Sequence, residues 1–472
     1  MGDWKGEPLS GNHPSRDQRA FSGTKRQFGN PPASGDQSWA ILITDRGFSV
    51  NPYLLFVLIV LIGSYLLGIL VDILNMKVQP EELPEEFDGF YDSQKYKKSQ
   101  KYLKVNTRLG IIMDTVTTPI IVLFILLGGF QTLDAFARGF NLGPIPTGLI
   151  FTGLLLFVFH LLHIPFSIYR TFSIEEKYGF NRTTVKTFIL DLLKSWALVA
   201  VLGGIVLAGV LWFFEKSGTW AWLYCWAGVT LFQMVIMVLA PVLIMPLFNK
   251  FTPLKEGDLR EAIEGYARTQ NFKMKGVFTM DGSKRSSKTN AYFTGIGRFR
   301  RIVLLDTLIE KHTVGELVSV LAHEVGHYKK RHILKTLIIA ILTMGIMFFI
   351  LSLFLNNADL FAAFKMEKTS IYGSLIFFAF LYAPIEMILS IFGNHVSRKH
   401  EFEADRFAIL TYAHPQAMVQ ALKKLSVENL SNLTPHPMKV FLSYSHPPVL
   451  QRIHAIQTLQ KNAAATVISE SY

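Results

Sequence analysis

Residues 323–327 read His-Glu-Val-Gly-His. Two histidines four apart on a helix present their imidazoles to the same side, close enough to share one zinc ion. The glutamate after the first can act as general base on a water that the metal polarises. The chain has 13 histidines in 472 residues, and about one chain in a hundred of this make-up would carry the pattern by chance. The flanks agree with a helix. Val318, Leu321 and Ala322 keep its apolar period before His323, and Leu334 and Leu337 resume it after the basic turn Lys329-Lys330-Arg331. Two surface histidines on an ordinary helix are the weaker reading.

A catalytic zinc needs a third protein ligand and an open position. The single cysteine, Cys225, falls in an apolar span that should face the wrong way. The better source is Ser397-Arg-Lys-His-Glu-Phe-Glu-Ala-Asp405. Glu401 and Asp405 are four apart and share a helix face, so one can ligate while the other orients a ligand histidine. Glu403 falls on the opposite side. His400 is a rival ligand that reads better as a helix-surface histidine. Further on comes Tyr444-Ser-His-Pro-Pro-Val-Leu-Gln-Arg452. A residue before proline avoids the helical region, so His446 should sit in an extended loop. There it could donate to a developing oxyanion, with Arg452 bracing a carboxylate ligand, or it could be a loop histidine without a role.

These groups must be positioned by a chain that is mostly membrane. Half of its residues are hydrophobic and only 17% are charged, against a usual quarter. Seven stretches are long and apolar enough to cross about 30 Å of hydrocarbon: near 52–75, 109–130, 148–169, 193–214, 220–245, 333–355 and 371–393. Asp114, His160 and His163 lie inside spans, where polar groups usually face a neighbouring helix or a water-filled interior. The basic residues alternate between loops. The loop after the first span carries Lys77, Lys95, Lys97, Lys98, Lys101, Lys104 and Arg108, the next only Arg138; the third carries Arg170, Lys177, Arg182, Lys186 and Lys194, the fourth only Lys216. Positive loops stay in the cytoplasm, so the odd-numbered loops and the tail after 394 are expected there. The net charge of +12 then belongs beside anionic lipid, and no recognition motif for nucleic acid accompanies it.

Five regions follow: a polar, disordered tail over 1–49; five membrane helices with their loops over 50–245; a cytoplasmic domain with the zinc helix over 246–332; two membrane helices over 333–393; and a cytoplasmic segment over 394–472 that completes the zinc site. The 246–332 region reads as a small α/β unit. It should hold an amphipathic helix over 255–271 and strands at Gly276–Met280, Asn290–Thr294 and Arg301–Leu305, then the zinc helix.

Taken together, these residues resemble the type I CAAX prenyl proteases, integral-membrane zinc metalloproteases that process yeast a-factor and prelamin A. The likeness covers roughly residues 50–460. It extends to Ile174-Glu-Glu-Lys-Tyr-Gly-Phe-Asn181, Pro246-Leu-Phe-Asn-Lys-Phe-Thr-Pro-Leu254, Gly282-Ser-Lys-Arg-Ser-Ser287, Asn290-Ala-Tyr-Phe293, Leu360-Phe-Ala-Ala-Phe364 and Tyr444-Ser-His-Pro-Pro448. The resemblance implies a mainly α fold: seven transmembrane helices forming a barrel around a large chamber, with the α/β protease domain closing its cytoplasmic end. It implies one zinc per chain, held by His323, His327 and Glu401, with Glu324 as general base and Asp405 behind the ligands. His446 and Arg452 would assist the transition state. The strand Asn290, Ala291, Tyr292 and Phe293 would bind substrate backbone by strand addition.

The expected substrate is a peptide or protein in the bilayer, cleaved near its C-terminus, isoprenylated or otherwise membrane-associated; the enzyme is expected to be monomeric. A quality-control membrane protease is the alternative, though its shorter relatives have about four spans. A transporter or dead scaffold is disfavoured by the intact His323–Glu324–His327 set. Three departures lean towards a bacterial inner-membrane member rather than one of the endoplasmic reticulum: the compact run from Thr307 to His323, His400 where an aromatic is usual, and no retrieval signal in Ile468-Ser-Glu-Ser-Tyr472.

Overall fold

The computed structural model describes residues 51–80, 82–294 and 301–470; the polar 1–49 region lies outside them. Among the described residues seven helices are long and apolar enough to cross a bilayer: α1 (Pro52–Lys77), α2 (Ser93–Leu126), α3 (Pro144–Tyr178), α4 (Val185–Lys216), α5 (Gly218–Leu247), α8 (His332–Leu353) and α9 (Ile371–Tyr412). On α1 the side chains Leu55, Ile59, Ile62, Leu66 and Leu70 are exposed at helical spacing. A continuous apolar stripe facing outward is the surface a helix presents to lipid.

The helices surround a chamber, as a helical barrel. A largely apolar cavity of about 1020 Å³ is lined by α4, α5, α8 and α9 through residues such as Leu202, Phe232, Met347 and Glu386. His160 and His163 line a second cavity of about 280 Å³ between α3 and α4, opposite Asp191 and Ser195. His160 and His163 thus share a partly polar cavity, in keeping with the cost of polar groups facing lipid.

The two ends of the bundle are packed differently. At one end Phe130, Phe361, Phe364 and Phe377 form a compact aromatic cluster, with Phe364 and Phe377 stacked at 3.9 Å between centroids. At the other end the loops after α1, α3, α5 and α9 come together. There Phe87, Tyr96, Tyr102, Ile174 and Tyr178 pack against Met418 and Leu422 of α10 (Pro415–Glu428) and Ile453 of α11 (Val449–Glu470). The odd-numbered basic loops thus share one end with the zinc motif.

Between α5 and α8 lies the small α/β unit. Its strands are β1 (Phe251–Pro253), β2 (Gly276–Met280), β3 (Ala291–Thr294) and β4 (Arg301–Leu305), in the order β1-β2-β4-β3. β2 and β4 are parallel, with Phe278 opposite Val303; β1 and β3 flank them antiparallel. Three of the four match the sequence expectation; β1 is too short to announce itself by alternation. The core of the unit joins Ile263 of α6 (Asp258–Thr269), Ile302 and Leu304 of β4, and Leu317, Leu321 and Val325 of α7 (Val314–Lys329).

No break separates the last span from the segment that follows it. α9 runs for 42 residues, about 63 Å at 1.5 Å per residue, twice the hydrocarbon thickness. A single rigid helix therefore carries Glu401 from the bilayer to the zinc motif.

Candidate metal centre

α7 begins with a capping box. The Thr313 hydroxyl accepts from Glu316 N–H at 3.3 Å, and the Glu316 carboxylate accepts from Thr313 N–H at 3.0 Å. Lys424 on α10 then pairs with Glu316 at 2.7 Å. Such a cap fixes where the helix starts and hence which way His323 and His327 point. They point at α9. Gly326 lies against it so closely that a β-carbon there would sit 3.0 Å from the Cα and the carbonyl oxygen of Ala404.

This close crossing brings His323, His327 and Glu401 together, with one donor atom from each within 4.8 Å of the others. His327 Nε2 is 3.1 Å from His323 Nε2 and 3.2 Å from Glu401 Oε1; His323 Nε2 is 3.4 Å from Glu401 Oε2. Two nitrogens bonded to one tetrahedral zinc at 2.0–2.1 Å would be about 3.3 Å apart, so the donor set fits the ion. Glu401 Oε2 is buried without a hydrogen bond, as a ligand oxygen would be.

The other faces of these groups are held firmly. His323 Nδ1 donates to Asp405 Oδ1 at 2.8 Å, which leaves Nε2 as the lone-pair nitrogen. Arg452 grips Asp405 with two bonds, Nε to Oδ2 at 2.8 Å and Nη2 to Oδ1 at 2.6 Å, and places Nη1 3.3 Å from Glu401 Oε2. Burial opposes a charged His323, but the Asp405 and Glu401 carboxylates outweigh it and push its pKa up to about 9. Burial likewise opposes charge on Arg452, and Asp405 more than restores it. The pocket is built to hold positive charge.

Glu324, Glu401, His446, Arg452 and Asn290 line one cleft of about 210 Å³, whose wall continues through Val320, Met418 and Leu422. His446 is exposed, as is Asn290, and its Nε2 lies 3.4 Å from Glu401 Oε1. Its loop is fastened by Arg398, which donates to the carbonyls of Val440 and Tyr444 at 3.1 and 2.6 Å. Ser445 Oγ lies 3.0 Å from His446 Nδ1. Ala291 belongs to β3, the edge strand of the sheet, and also lines the cleft. The approach to β3 is clamped by Asn429, which accepts from Thr289 N–H at 2.9 Å and donates to its carbonyl at 3.0 Å.

The structure thus brings His323, Glu324, His327, Glu401, His446, Arg452, Asn290 and Ala291 to one place, with Asp405 behind His323; the side chains of Tyr292 and Phe293 lie outside the described residues. One neighbour departs from expectation. His400 is no surface histidine: it is buried and stacks on His332, with ring centroids 4.0 Å apart and planes 9° apart. Glu403 does turn away from the donor set, yet it binds His332 Nε2 at 3.1 Å. His332 escaped the sequence reading because its spacing from His327 matches no helical period. Arg398 and Asn429 carried no signal at all, since clamping a backbone needs no motif.

Comparison with known proteins agrees with this geometry. Residues 72–250 match the family described as CAAX prenyl protease N-terminal, five membrane helices, and residues 253–460 match peptidase family M48. A CAAX prenyl protease 1 homolog of Arabidopsis thaliana is 37% identical over 79% of this chain and 90% of its own length. CAAX prenyl protease 1 of Saccharomyces cerevisiae is 32% identical over 80% and 89%, and the Homo sapiens homolog 31% identical over 80% and 90%. The crystal structure of S. mikatae Ste24p superposes with a TM-score of 0.82 at 31% identity, covering 86% of this chain and 99% of that one. These relatives are eukaryotic, so the departures that leaned towards a bacterial member do not carry that inference. The chain belongs to the CAAX prenyl protease 1 family of multi-pass membrane zinc metalloproteases.

Proposed function

We propose that this protein cleaves prenylated CAAX-type peptides at the cytoplasmic face of a eukaryotic intracellular membrane, using one zinc ion held by His323, His327 and Glu401. The observation that carries the reading is the convergence of these three donors beside Glu324, in a cleft edged by β3. A bound zinc would supply Lewis acidity for the scissile carbonyl and for a water molecule.

The remaining roles follow from the side chains. Among the described residues β3 pairs on one side only, with β4, so an extended substrate adds on its other side as a further strand, with Asn290 to Phe293 setting its register. Glu324 takes the proton of the attacking water and passes it to the departing amine nitrogen as the peptide C–N bond breaks. The Ser445 hydroxyl can donate to His446 Nδ1, which leaves the proton on Nε2, and from there His446 donates to the developing oxyanion. Asp405 and Arg452 hold His323 and Glu401 in place. The cytoplasmic orientation is supported by the gathering of the basic odd-numbered loops at the catalytic end.

Mass spectrometry of products from a farnesylated CAAX peptide and its unprenylated twin tests the substrate class. A marked preference for the prenylated peptide is expected. Equal cleavage of both would replace prenyl recognition with general membrane proteolysis.

A further inference from the structure

The two histidines of the zinc motif are oriented by different means. His323 leans directly on a carboxylate, Asp405. Among the described residues His327 Nδ1 meets no carboxylate; it lies 3.0 Å from His332 Nδ1. The other nitrogen of His332, Nε2, lies 3.1 Å from Glu403 Oε2.

The proton positions along this chain follow from its far end. An ionised Glu403 only accepts, so His332 Nε2 carries the proton and donates to it. His332 Nδ1 is then a lone pair and accepts from His327 Nδ1–H. His327 Nε2 is left bare and aimed at His323 Nε2 and Glu401. Each link determines the next, and the last is the tautomer that a metal ligand needs. The alternative tautomer of His327 would put a hydrogen on the nitrogen that a bound ion would need.

We infer that Glu403 and His332 are positioning residues that set the metal-binding tautomer of His327, acting in series through two imidazoles. This rests on the proposed ligand role of His327.

The fold has a specific device for the purpose. On an uninterrupted helix, residues 327 and 332 would face about 140° apart. Instead α7 stops at Lys329, Arg331 adopts φ 56°, and α8 starts at His332. The left-handed turn folds His332 back onto the last turn of α7. A non-glycine residue in that conformation is strained and persists only where its surroundings hold it there. His332 is 2% exposed, and the flat stack of His400 against it fixes the plane of its ring. Burial, strain and stacking are thus spent on a residue that touches His327 but gives no donor atom to the metal group itself.

The test is zinc affinity, measured by chelator competition on the full-length protein in detergent. Loss of such a partner typically weakens metal binding 10–100-fold. His332→Leu keeps bulk but no acceptor, and Glu403→Ala removes the terminal carboxylate; each should weaken zinc by about that factor. His332→Asn should recover most of it, because the amide oxygen sits near the former Nδ1 and can accept from His327. In the double variant His332→Leu/Glu403→Ala, the second change should add nothing, since Glu403 acts only through His332. Wild-type affinity in His332→Leu would overturn the inference, as would multiplied losses in the double variant or equal loss in the Leu and Asn variants. Failure of the wild-type protein to bind zinc would instead overturn the ligand assignment itself.

Discussion

Gly326→Ala isolates what the close crossing of α7 and α9 contributes. The added β-carbon would lie 3.0 Å from both Cα and O of Ala404 and 3.2 Å from Cβ of Phe407, where ordinary contact begins at 3.4 Å. The shortfall of 0.4 Å is against backbone of a second helix, which cannot rotate aside as a side chain would. α9 must therefore move away or tilt. Such overpacking typically costs 1–3 kcal/mol, offset by roughly 1 kcal/mol from replacing glycine inside a helix. The net destabilisation expected is about 1 kcal/mol, a modest fall in melting temperature. The effect on metal should be larger. Ala404 sits three residues after Glu401 and one before Asp405, so both move with the helix, while ligand distances are tolerated only within about 0.2 Å. Zinc affinity should fall about tenfold or more, by analogy with loss of a ligand-orienting group. Chelator competition and thermal melting on one preparation measure both. A variant that melts higher and keeps wild-type zinc affinity would refute the argument that this contact sets the site.

Three further outcomes are expected. Glu324→Gln should retain zinc and lose 10²–10⁴-fold or more in turnover, because the amide cannot take the proton; near-normal activity with metal bound would reassign the base. Glu401→Ala should lose zinc on metal analysis, and His446→Ala should keep it while single-turnover rate drops roughly 10²–10³-fold; zinc falling with rate in the latter would make His446 a ligand. The pH profile of zinc binding follows from His323. Its pKa rises from 6.5 to about 9 in the metal-free protein, so the folded chain holds an extra proton across that window. The stabilisation from that proton is complete below 6.5 and is lost as pH climbs through about 9. Zinc must displace it, so affinity should rise about tenfold per pH unit over the window and level off above. A flat profile from calorimetric titration would contradict the coupling.

Sequence alone determined the parts of this protein that obey a local period or an inventory of chemical types. The seven spans are legible because hydrocarbon thickness demands some twenty apolar residues in a row. His323, Glu324 and His327 are legible because four residues make nearly one helical turn. Glu401 and Asp405 could be singled out as a pair for the same reason, though nothing local says which of them faces the metal. That choice belongs to the crossing of α7 and α9, which turns Glu401 towards both Nε2 atoms and puts Asp405 behind His323. The approach of those helices depends on a glycine, and glycine has no periodic signature. The same limit hid His332. It comes into contact through a left-handed residue, Arg331, and any reading that continues the helix puts it on the wrong face. His400 was misplaced on the surface for a related reason: burial of a histidine depends on what stacks against it, and His332 is 68 residues earlier in the chain. Residue types and short-range spacing carried the chemistry. Long-range packing, which encodes nothing in the local pattern, assigned the partners.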